Sequence, residues 1–475
     1  MPDGMLAAAL LELVLAAALL ELVPPPGPSF EGIVARVTTA TSQEVPFRDA
    51  LVFWVRLGFI NFGGPTGQIA IMHDELVERR RWIDEERFLH ALNFAMLLPG
   101  PEAHQLAIYI GWLLNGSAGA VAAGVFFLLP ALALMIGLSW VYAVHGDVAW
   151  VSAVFEALAW AVVGIVAAAL IRIGQRALKT RSAYVIAGAA FVALLIFGVP
   201  FPMVILVAGL LGLWFGARIA GASSGTSTEL DVGRPGVKPT WGRAGRVLAV
   251  GLMVWLGPLV VVALAIGTDG VIATEAVFFS FMALVTFGGA YAVLAYVNQA
   301  AVLRFGWLTS GEMAVGLSLA ESTPGPLILT VVFVGFLAAY RDPGSLEPVA
   351  AGLVGALVTA WATFVPSFVF IFLGAPSVER LRGNRRIASA LAAITAAVVG
   401  VVANLAVVFA AGVLFTKHHS ERLFWHDVPV PVLSSIDLLA VSVAVASLIG
   451  TWRFRINVVW IVLGSAAIGL LRFAI

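Results

Sequence analysis

Long apolar segments fill the chain from Phe47 onward, separated by short polar stretches. Most of them are close to the roughly 20 apolar residues that a helix needs to cross a bilayer. Six segments precede a polar stretch at 218–246, one connecting segment follows it at 247–267, and six more complete the chain. The pattern predicts an all-α polytopic membrane protein. The twelve main segments are expected at 50–77, 88–114, 117–143, 148–171, 183–198 and 201–217, then at 275–301, 312–338, 348–373, 388–415, 434–449 and 456–474.

Residues 1–46 differ from the rest of the chain. The nonapeptide LAAALLELV occupies 6–14 and is repeated letter for letter at 15–23, before the proline-rich stop at 24–28. A signal peptide needs a positively charged start, and this segment has none. It is expected to be a poorly ordered or interfacial extension, and the alternative is an additional membrane span.

Composition supports a membrane protein and narrows the function. Of 475 residues, 61% are apolar and 11% are charged, with 27 basic and 27 acidic side chains. Soluble domains carry roughly 25% charged residues, and nucleic-acid binding needs a basic field. The absence of cysteine removes thiolate metal sites, and no nucleotide-binding or hydrolase motif is found. We therefore expect no metal, no cofactor and no enzymatic activity.

The sequence contains an internal duplication. Phe62-Gly63-Gly64 recurs as Phe287-Gly288-Gly289, Trp82 as Trp307, and Pro99-Gly100-Pro101 as Pro324-Gly325-Pro326, all at an offset of 225. Farther along, Pro130 matches Pro366 at an offset of 236. Four regions are predicted: the N-terminal extension 1–46, a first repeat at 47–217, a linker with a connecting helix at 218–274, and a second repeat at 275–475.

Basic residues indicate that the two repeats are inverted in the membrane. Arg79, Arg80, Arg81 and Arg87 follow the first segment, whereas the equivalent loop of the second repeat has only Arg304. The loop after the third segment shows the opposite bias. Because Lys and Arg are enriched in cytoplasmic loops, equivalent loops are expected on opposite sides. Inverted repeats are typical of transporters that bind substrate at the repeat interface.

The first chemical motif is Asn61-Phe62-Gly63-Gly64-Pro65-Thr66-Gly67-Gln68, in the middle of an apolar segment. Three glycines and a proline predict a broken helix whose second half starts near Thr66 and runs to Arg81. The new helix N-terminus would offer free N–H groups to an anion. The alternative is a packing kink between close helices. The predicted anion-binding residues of this motif and its second copy are Asn61, Gly63, Gly64, Thr66, Gly67, Gln68, Gly288 and Gly289.

The second motif breaks the next segment in each repeat, and its predicted binding residues are Pro99, Gly100, Pro101, Thr323, Pro324 and Gly325. Glu102 and His104 lie in the helical turn after the first copy, and Glu321 precedes the second. Ionisable groups inside spans are candidates for ion coupling. The alternatives are that Glu102 only complements the helix dipole and that His104 is a hydrogen-bonded structural histidine. Carboxylates on opposite sides of the two breaks favour one shared substrate site.

Two further charges lie inside apolar segments. Arg56 is two helical turns before Gly63 and could bind an oxyanion with its guanidinium fork, or could extend to the membrane interface. Glu156 shows no obvious partner and is a further candidate for ion coupling.

The motifs of the first repeat resemble the chromate ion transporter family in its long two-domain form. The resemblance rests on FGGPTGQ, RRRW and LLPGPE, and on FGGAYAV with STPGP in the second repeat, and it covers about residues 47–475. Its motif positions here are Gly63, Gly64, Pro65, Gly67, Gln68, Arg81, Trp82, Pro99, Gly100, Pro101 and Glu102. His104 departs from the glutamine expected there.

The resemblance implies a secondary transporter of the bacterial inner membrane that exports chromate, a sulfate-like dianion, and confers chromate resistance. A coupling ion, either a proton or a counter-anion, is expected, and the protein could form a homodimer. The alternatives are a general sulfate or oxyanion permease and an anion channel. No nucleic-acid partner is expected.

Overall fold

The computed structural model describes residues 45–219, 240–375, 385–423 and 426–475. The prediction for the N-terminal extension therefore lies almost entirely outside the described residues. So do most of the linker and two of the arginines that follow the third segment of the second repeat.

Each repeat consists of helices interrupted at the predicted breaks. The first repeat contains α1 (Phe47–Ile60), α2 (Gly64–His73) continued by a π-helical turn (Asp74–Arg79), α3 (Glu85–Ala95), α4 (Glu102–His145), α5 (Ala149–Ala177), α6 (Arg181–Leu195) and α7 (Phe201–Ile219). The connecting helix is α8 (Trp241–Ile266). The backbone of α4 leaves helical geometry at Asn115 and Gly116, which divides it into α4a (102–114) and α4b (117–145).

The second repeat has the same elements in the same order. They are α9 (Val271–Val285), α10 (Ala290–Asn298) with a π-helical turn (Gln299–Arg304), α11 (Ser310–Ser322), a 3-10 turn (Leu327–Leu329) leading into α12 (Thr330–Arg341), α13 (Pro348–Gly374), α14 (Arg385–Leu414), α15 (Leu438–Trp452) and α16 (Val458–Ala474). An antiparallel hairpin, β1 (His418–Leu423) and β2 (His426–Pro431), connects α14 to α15. The sequence analysis did not predict this hairpin. Both π-helical turns match at the offset of 225, so the duplication extends to local irregularities.

The first segment of each repeat is a re-entrant hairpin that turns back at the predicted break. Trp82, just after α2, packs edge-on against Phe53 near the start of α1, with ring centroids 5.5 Å apart. Trp307 packs in the same way against Phe278, at 6.2 Å. The chain therefore enters along one half-helix, reverses at the break, and returns to its starting level. The second half-helix begins at Gly64, before the predicted Thr66.

The second segment of the first repeat also reverses at its break. α3 leads inward and α4a leads back, because Asn115 Nδ2, at the end of α4a, donates a hydrogen bond of 2.7 Å to Val45 O at the start of α1. α4b then crosses the full thickness, since 29 residues at 1.5 Å each give about 43 Å. α4, α5, α8, α13 and α14 are the described helices that are long and apolar enough to span a membrane.

The two repeats are inverted, and the position of α4b shows it. α4b begins at the face where α1 begins, here called the first face. Near its other end, Tyr142 packs against Phe333 at 5.2 Å and lines a cavity of about 480 Å³ together with Thr309 and Glu312 at the start of α11. The hairpins of the second repeat therefore enter from the opposite face, here called the second face.

Long helices of one repeat pack against short helices of the other. α5 packs against α15 and α16, and α14 packs reciprocally against α6 and α7. A methyl group added at Gly164 would overlap Ala444 O, and one added at the equivalent Gly400 would overlap Ala187 O. Such reciprocal contacts are the signature of a two-fold axis, here relating the two repeats. The glycines allow backbone-to-backbone approach of the kind seen in membrane helix pairs.

Basic residues identify the cytoplasmic face. The described basic residues at the first face include Arg48, Arg79, Arg80, Arg81, Arg87, Arg176, Lys179, Arg181, Arg243, Arg246, Arg386, Arg453 and Arg455, against Arg304, Arg341, Lys417 and Arg472 at the second face. Because Lys and Arg are enriched in cytoplasmic loops, the first face is expected to be cytoplasmic.

Single cysteines test this orientation, since the natural chain has none. Glu86→Cys lies at the first face and Ser345→Cys at the second, and both positions are exposed. In intact cells, an impermeant thiol reagent should label Ser345→Cys, while Glu86→Cys should react only after the membrane is opened. Labelling of both positions from the same side would contradict the inverted arrangement.

Candidate functional site

The four helix breaks meet in the interior of the protein. In chain order they are the first tip (61–63), the second tip (98–101), the third tip (286–289) and the fourth tip (323–326), together the tip cluster. The Gly100 N–H donates a 3.0 Å hydrogen bond to Thr286 O, and the Gly325 N–H donates a 2.8 Å hydrogen bond to Asn61 O. These two bonds are equivalent at the offset of 225, so the two-fold axis passes through the cluster.

The tips lie deep within the protein. A methyl group added at Gly325 would collide with Ala131, midway along the spanning helix α4b. One added at Gly100 would lie 3.6 Å from Ser367 Oγ at the equivalent position of α13. Gly100 and Gly325 have φ angles of 112° and 124°. The adjoining prolines end one helix and start the next, as predicted.

The first tip is an open, polar helix N-terminus. Gly63 and Gly64 have φ angles of 90° and 64°, and a methyl group added at Gly64 would meet nothing within 4 Å. Thr66, in the first turn of α2, is exposed. The first N–H groups of a helix have no partner within it, so this open end can accept an anion.

Two buried amide side chains line the base of the first tip. Asn61 is completely buried, and neither its Oδ1 nor its Nδ2 has a hydrogen-bond partner among the described residues. Gln68 Nε2 donates to Gly325 O and, at 3.4 Å, to Asn61 O, while its Oε1 has no partner within the described part of the chain. A methyl group on Gly67 would come within 2.8 Å of Phe62 O, so the tight turn needs glycine here. Unpaired buried amides are costly, and a bound polar ligand would satisfy them.

The third tip, the counterpart of the first, is occupied by carboxylates of the protein. A methyl group added at Gly289 would lie 3.2 Å from Glu102 Oε1, and one at Gly288 would collide with Val398. Tyr291, in the first turn of α10, donates a hydrogen bond of 2.6 Å from its Oη to Glu321 Oε1. Acidic groups are stabilised at a helix N-terminus. The glycines of the two equivalent tips have the same degree of exposure, but the tips differ in their neighbours: a methyl group added at Gly64 meets nothing within 4 Å, whereas one at Gly289 meets the Glu102 carboxyl group.

Glu102 and Glu321 converge on this one tip, although they belong to different repeats. The sequence analysis placed them on opposite sides of separate breaks and favoured a single shared site. Arg172, in α5, acts electrostatically on both Glu321 and Tyr291. The sequence analysis missed Arg172 as a site residue because it follows the segment predicted at 148–171 and looks like an ordinary loop charge.

His104 and Thr323 have local partners. His104 is fully buried, its Nε2 donates a 3.2 Å hydrogen bond to Gly124 O, and its ring packs edge-on against Phe364 and Phe368. Its other ring nitrogen, Nδ1, is buried and has no hydrogen-bond partner among the described residues. Thr323 Oγ1 donates to Ala320 O at 3.3 Å within its own helix.

Arg56 and Glu156 lie outside the tip cluster. Arg56 is exposed on α1, and no partner is found for it within the described ranges. Glu156 is exposed two turns into α5, and its Oε1 lies 3.8 Å from Arg472 Nη1, which also contacts Asp437 at 3.2 Å. Glu156 therefore has a partner in the structure, although none is obvious in the sequence.

Glu275 is a buried acid that the sequence analysis did not single out. It lies in the second turn of α9 and has no exposed surface. Its place at the predicted edge of the segment 275–301 made it look like a boundary charge. Only the approach of α12 and α13 in the structure shows that it is enclosed.

Inverted repeats that meet through broken helices are the architecture of a class of membrane transporters. The profile of the family described as chromate transporter matches residues 48–213 and 274–470. The chain belongs to this family, and it is a multi-pass protein of the inner membrane.

Several curated relatives are similar over long stretches. A chromate transport protein of Pseudomonas aeruginosa is 30% identical over 450 residues, covering 92% of this chain and 96% of that protein. A chromate transport protein of Cupriavidus metallidurans is 28% identical over 389 residues, covering 81% of this chain and 87% of that protein. The uncharacterized transporter YwrB of Bacillus subtilis is 34% identical over 134 residues, covering 28% of this chain and 68% of that protein. No solved structure matches the chain.

Proposed function

We propose that the protein is a secondary transporter that exports chromate and thereby confers chromate resistance. The observation that carries this proposal is the difference between the first and third tips. The first presents an open N-terminus with unpaired buried amides, while the Glu102 carboxyl group lies against the glycines of its counterpart. An open N-terminus of this kind suits an anion, and two relatives are named chromate transport proteins.

The anion would bind at the start of α2. The backbone N–H groups of Gly64 and Thr66, the Thr66 hydroxyl and the Asn61 amide would supply hydrogen bonds. The Gly67 N–H is not among these donors, because it donates a 3.3 Å hydrogen bond to Gly63 O. Backbone donors at a helix end recognise charge and the tetrahedral arrangement of oxygens. Sulfate presents the same oxygens as chromate, so it is expected to compete for the site, and a general oxyanion permease is the second candidate.

The first tip would release the anion when the two repeats move against each other. The hydrogen bonds from Gly100 to Thr286 and from Gly325 to Asn61 are contacts between repeats, and they would break and re-form in that movement. Glu102 and Glu321 would keep the third tip filled, so that each cycle carries one anion. They are also the proposed ion-coupling groups, with the proton as the coupling ion.

Flux through vesicles containing the purified full chain tests this function. We expect chromate and sulfate uptake that is accelerated by either anion on the far side, which distinguishes a carrier from a channel. A proton gradient should drive accumulation. Absence of oxyanion flux under all these conditions would refute the proposal, and flux without acceleration would indicate a channel.

A further inference from the structure

Glu275 is buried without any group to stabilise its charge. Its exposed fraction is zero, and neither Oε1 nor Oε2 has a hydrogen-bond partner among the described residues. A methyl group added at Gly355 of α13 would lie 3.0 Å from Glu275 Oε2, so the carboxyl group fills a notch that only glycine leaves open. An ionised carboxylate in such a place is very costly. A protonated, uncharged carboxyl group avoids this cost.

Hydroxyl groups continue from Glu275 along one ridge of α13. Thr359, Thr363 and Ser367 follow Gly355 at intervals of four residues and have exposed fractions of 0%, 3% and 1%. The hydroxyls of Thr359 and Thr363 have no partner in the described part of the chain. Residues four apart lie along one ridge of a helix. From Gly355 to Ser367 the ridge rises about 18 Å, at 1.5 Å per residue.

The ridge ends at the tip cluster. Ser367 Oγ would lie 3.6 Å from a methyl group added at Gly100, in the second tip. Glu102 starts the helix directly after that tip, and its carboxyl group lies against Gly289. At the other end, Glu275 is about 6 Å along α9 from Val271, close to the second face. The line therefore extends from the outer surface to the candidate site.

The first repeat has no such line. At the offset of 225, Glu275 corresponds to Ala50, which is also fully buried. At the offset of 236, the four ridge positions of α13 correspond to Gly119, Ala123, Phe127 and Ala131 of α4b. The fold thus forms the same packing without the acid or the hydroxyls. If Glu275 and the hydroxyl groups served only the packing of the helices, the two repeats would not need to differ at these positions.

Charged groups on the surrounding elements are confined to helix ends. α8, α12 and α13 pack against α9. Their charged side chains are Arg243 and Arg246 at the start of α8, Arg341 at the end of α12, and the capping Glu347 of α13, while Asp269 precedes α9. The segment after α10 also packs against α9, and its Arg304 lies over the Phe305 ring at 5.0 Å. Arg341 is paired with Glu312. Neither carboxyl oxygen of Glu275 has a hydrogen-bond partner among the described residues.

We propose that Glu275 and the hydroxyl ridge of Thr359, Thr363 and Ser367 form the proton path that links the outer solution to the tip cluster. This inference rests on the proposed oxyanion transport and identifies the route of its coupling ion. A proton from outer water binds the Glu275 carboxylate. It then passes along the hydroxyls, with water molecules bridging gaps of about 6 Å. Glu102 accepts it and releases it to inner water when the tips open inward.

Transport in vesicles tests the route when coupling and exchange are measured separately. Vesicles containing the full chain would hold a pH-sensitive dye, with sulfate as the probe anion. Glu275→Gln should lose sulfate accumulation driven by a proton gradient and lose the matching proton flux. Exchange of sulfate for sulfate at equal pH should persist. Thr363→Val should slow proton flux, while Thr451→Val, which removes a buried hydroxyl that bonds within α15, should not.

The outcomes separate the route from the transport function. If wild-type protein exchanges sulfate and Glu275→Gln retains proton-driven accumulation, or if accumulation follows sodium in place of protons, the proposed path is wrong. If the wild-type protein shows no sulfate exchange, the proposed transport function is wrong, but this result does not test the proton site at Glu275. In that case infrared spectroscopy of the purified protein still tests whether the Glu275 carboxyl group carries a proton. A protonated carboxyl band at neutral pH that disappears in Glu275→Gln supports the proton site, and an unchanged spectrum overturns it.

Discussion

Gly64→Leu is expected to abolish oxyanion exchange while leaving the protein folded in the membrane. The added side chain would occupy the open space in front of the α2 N-terminus, where the anion is proposed to bind. A methyl group there meets nothing within 4 Å, so the substitution does not collide with the core. Its structural cost comes from the φ of 64°, and is about 1–2 kcal/mol.

A matched substitution separates that backbone cost from loss of the site. Gly344 has a φ of 60° and equally open surroundings, but it lies in the loop between α12 and α13, far along the chain from the tips. Gly344→Leu should therefore lose similar stability and keep normal exchange. Equal exchange in the two variants would remove the first tip from the mechanism.

Gly400→Ala is expected to destabilise the whole protein. A methyl group at this position would overlap Ala187 O and lie 2.8 Å from Phe191 N, where α14 crosses α6 of the other repeat. Backbone atoms cannot move aside cheaply, and overpacking costs about 1–3 kcal/mol. Thermal unfolding of the purified protein should show a lower midpoint than that of the wild type.

Gly188→Ala is the control for this effect. Gly188 lies next to Ala187 on α6, and a methyl group there meets nothing within 4 Å. Alanine favours a helix over glycine by up to about 1 kcal/mol, so this variant should unfold at the same temperature or higher. An unchanged midpoint for Gly400→Ala would show that the two repeats do not interlock at this crossing.

The repeats, their inversion and the positions of the helix breaks could be predicted from the sequence. Gly63, Gly64 and the two Pro-Gly-Pro motifs specify where a helix must end, because of their backbone preferences. The helix-breaking motifs recur at one offset, which shows that they belong to both copies of a duplicated unit. Unequal basic loops in equivalent places indicate opposite orientation, and the course of α4b confirms it.

The direction of the chain after each break could not be predicted. A glycine-proline break ends a helix but does not specify whether the next one continues or reverses. The reversal depends on contacts distant in sequence, such as that of Trp82 with Phe53. The convergence of Glu102 and Glu321 on the third tip, and the enclosure of Glu275, depend on packing between repeats in the same way.

The central claim is that one oxyanion binds at the first tip, between the two repeats. Selenate is a tetrahedral dianion with an anomalous scatterer, so crystals of the protein grown with selenate would locate the anion directly. The account predicts one selenium peak whose oxygens lie within hydrogen-bonding reach of the N–H groups at Gly64 and Thr66. A peak at the third tip or beside Arg172, with none at the first tip, would contradict it.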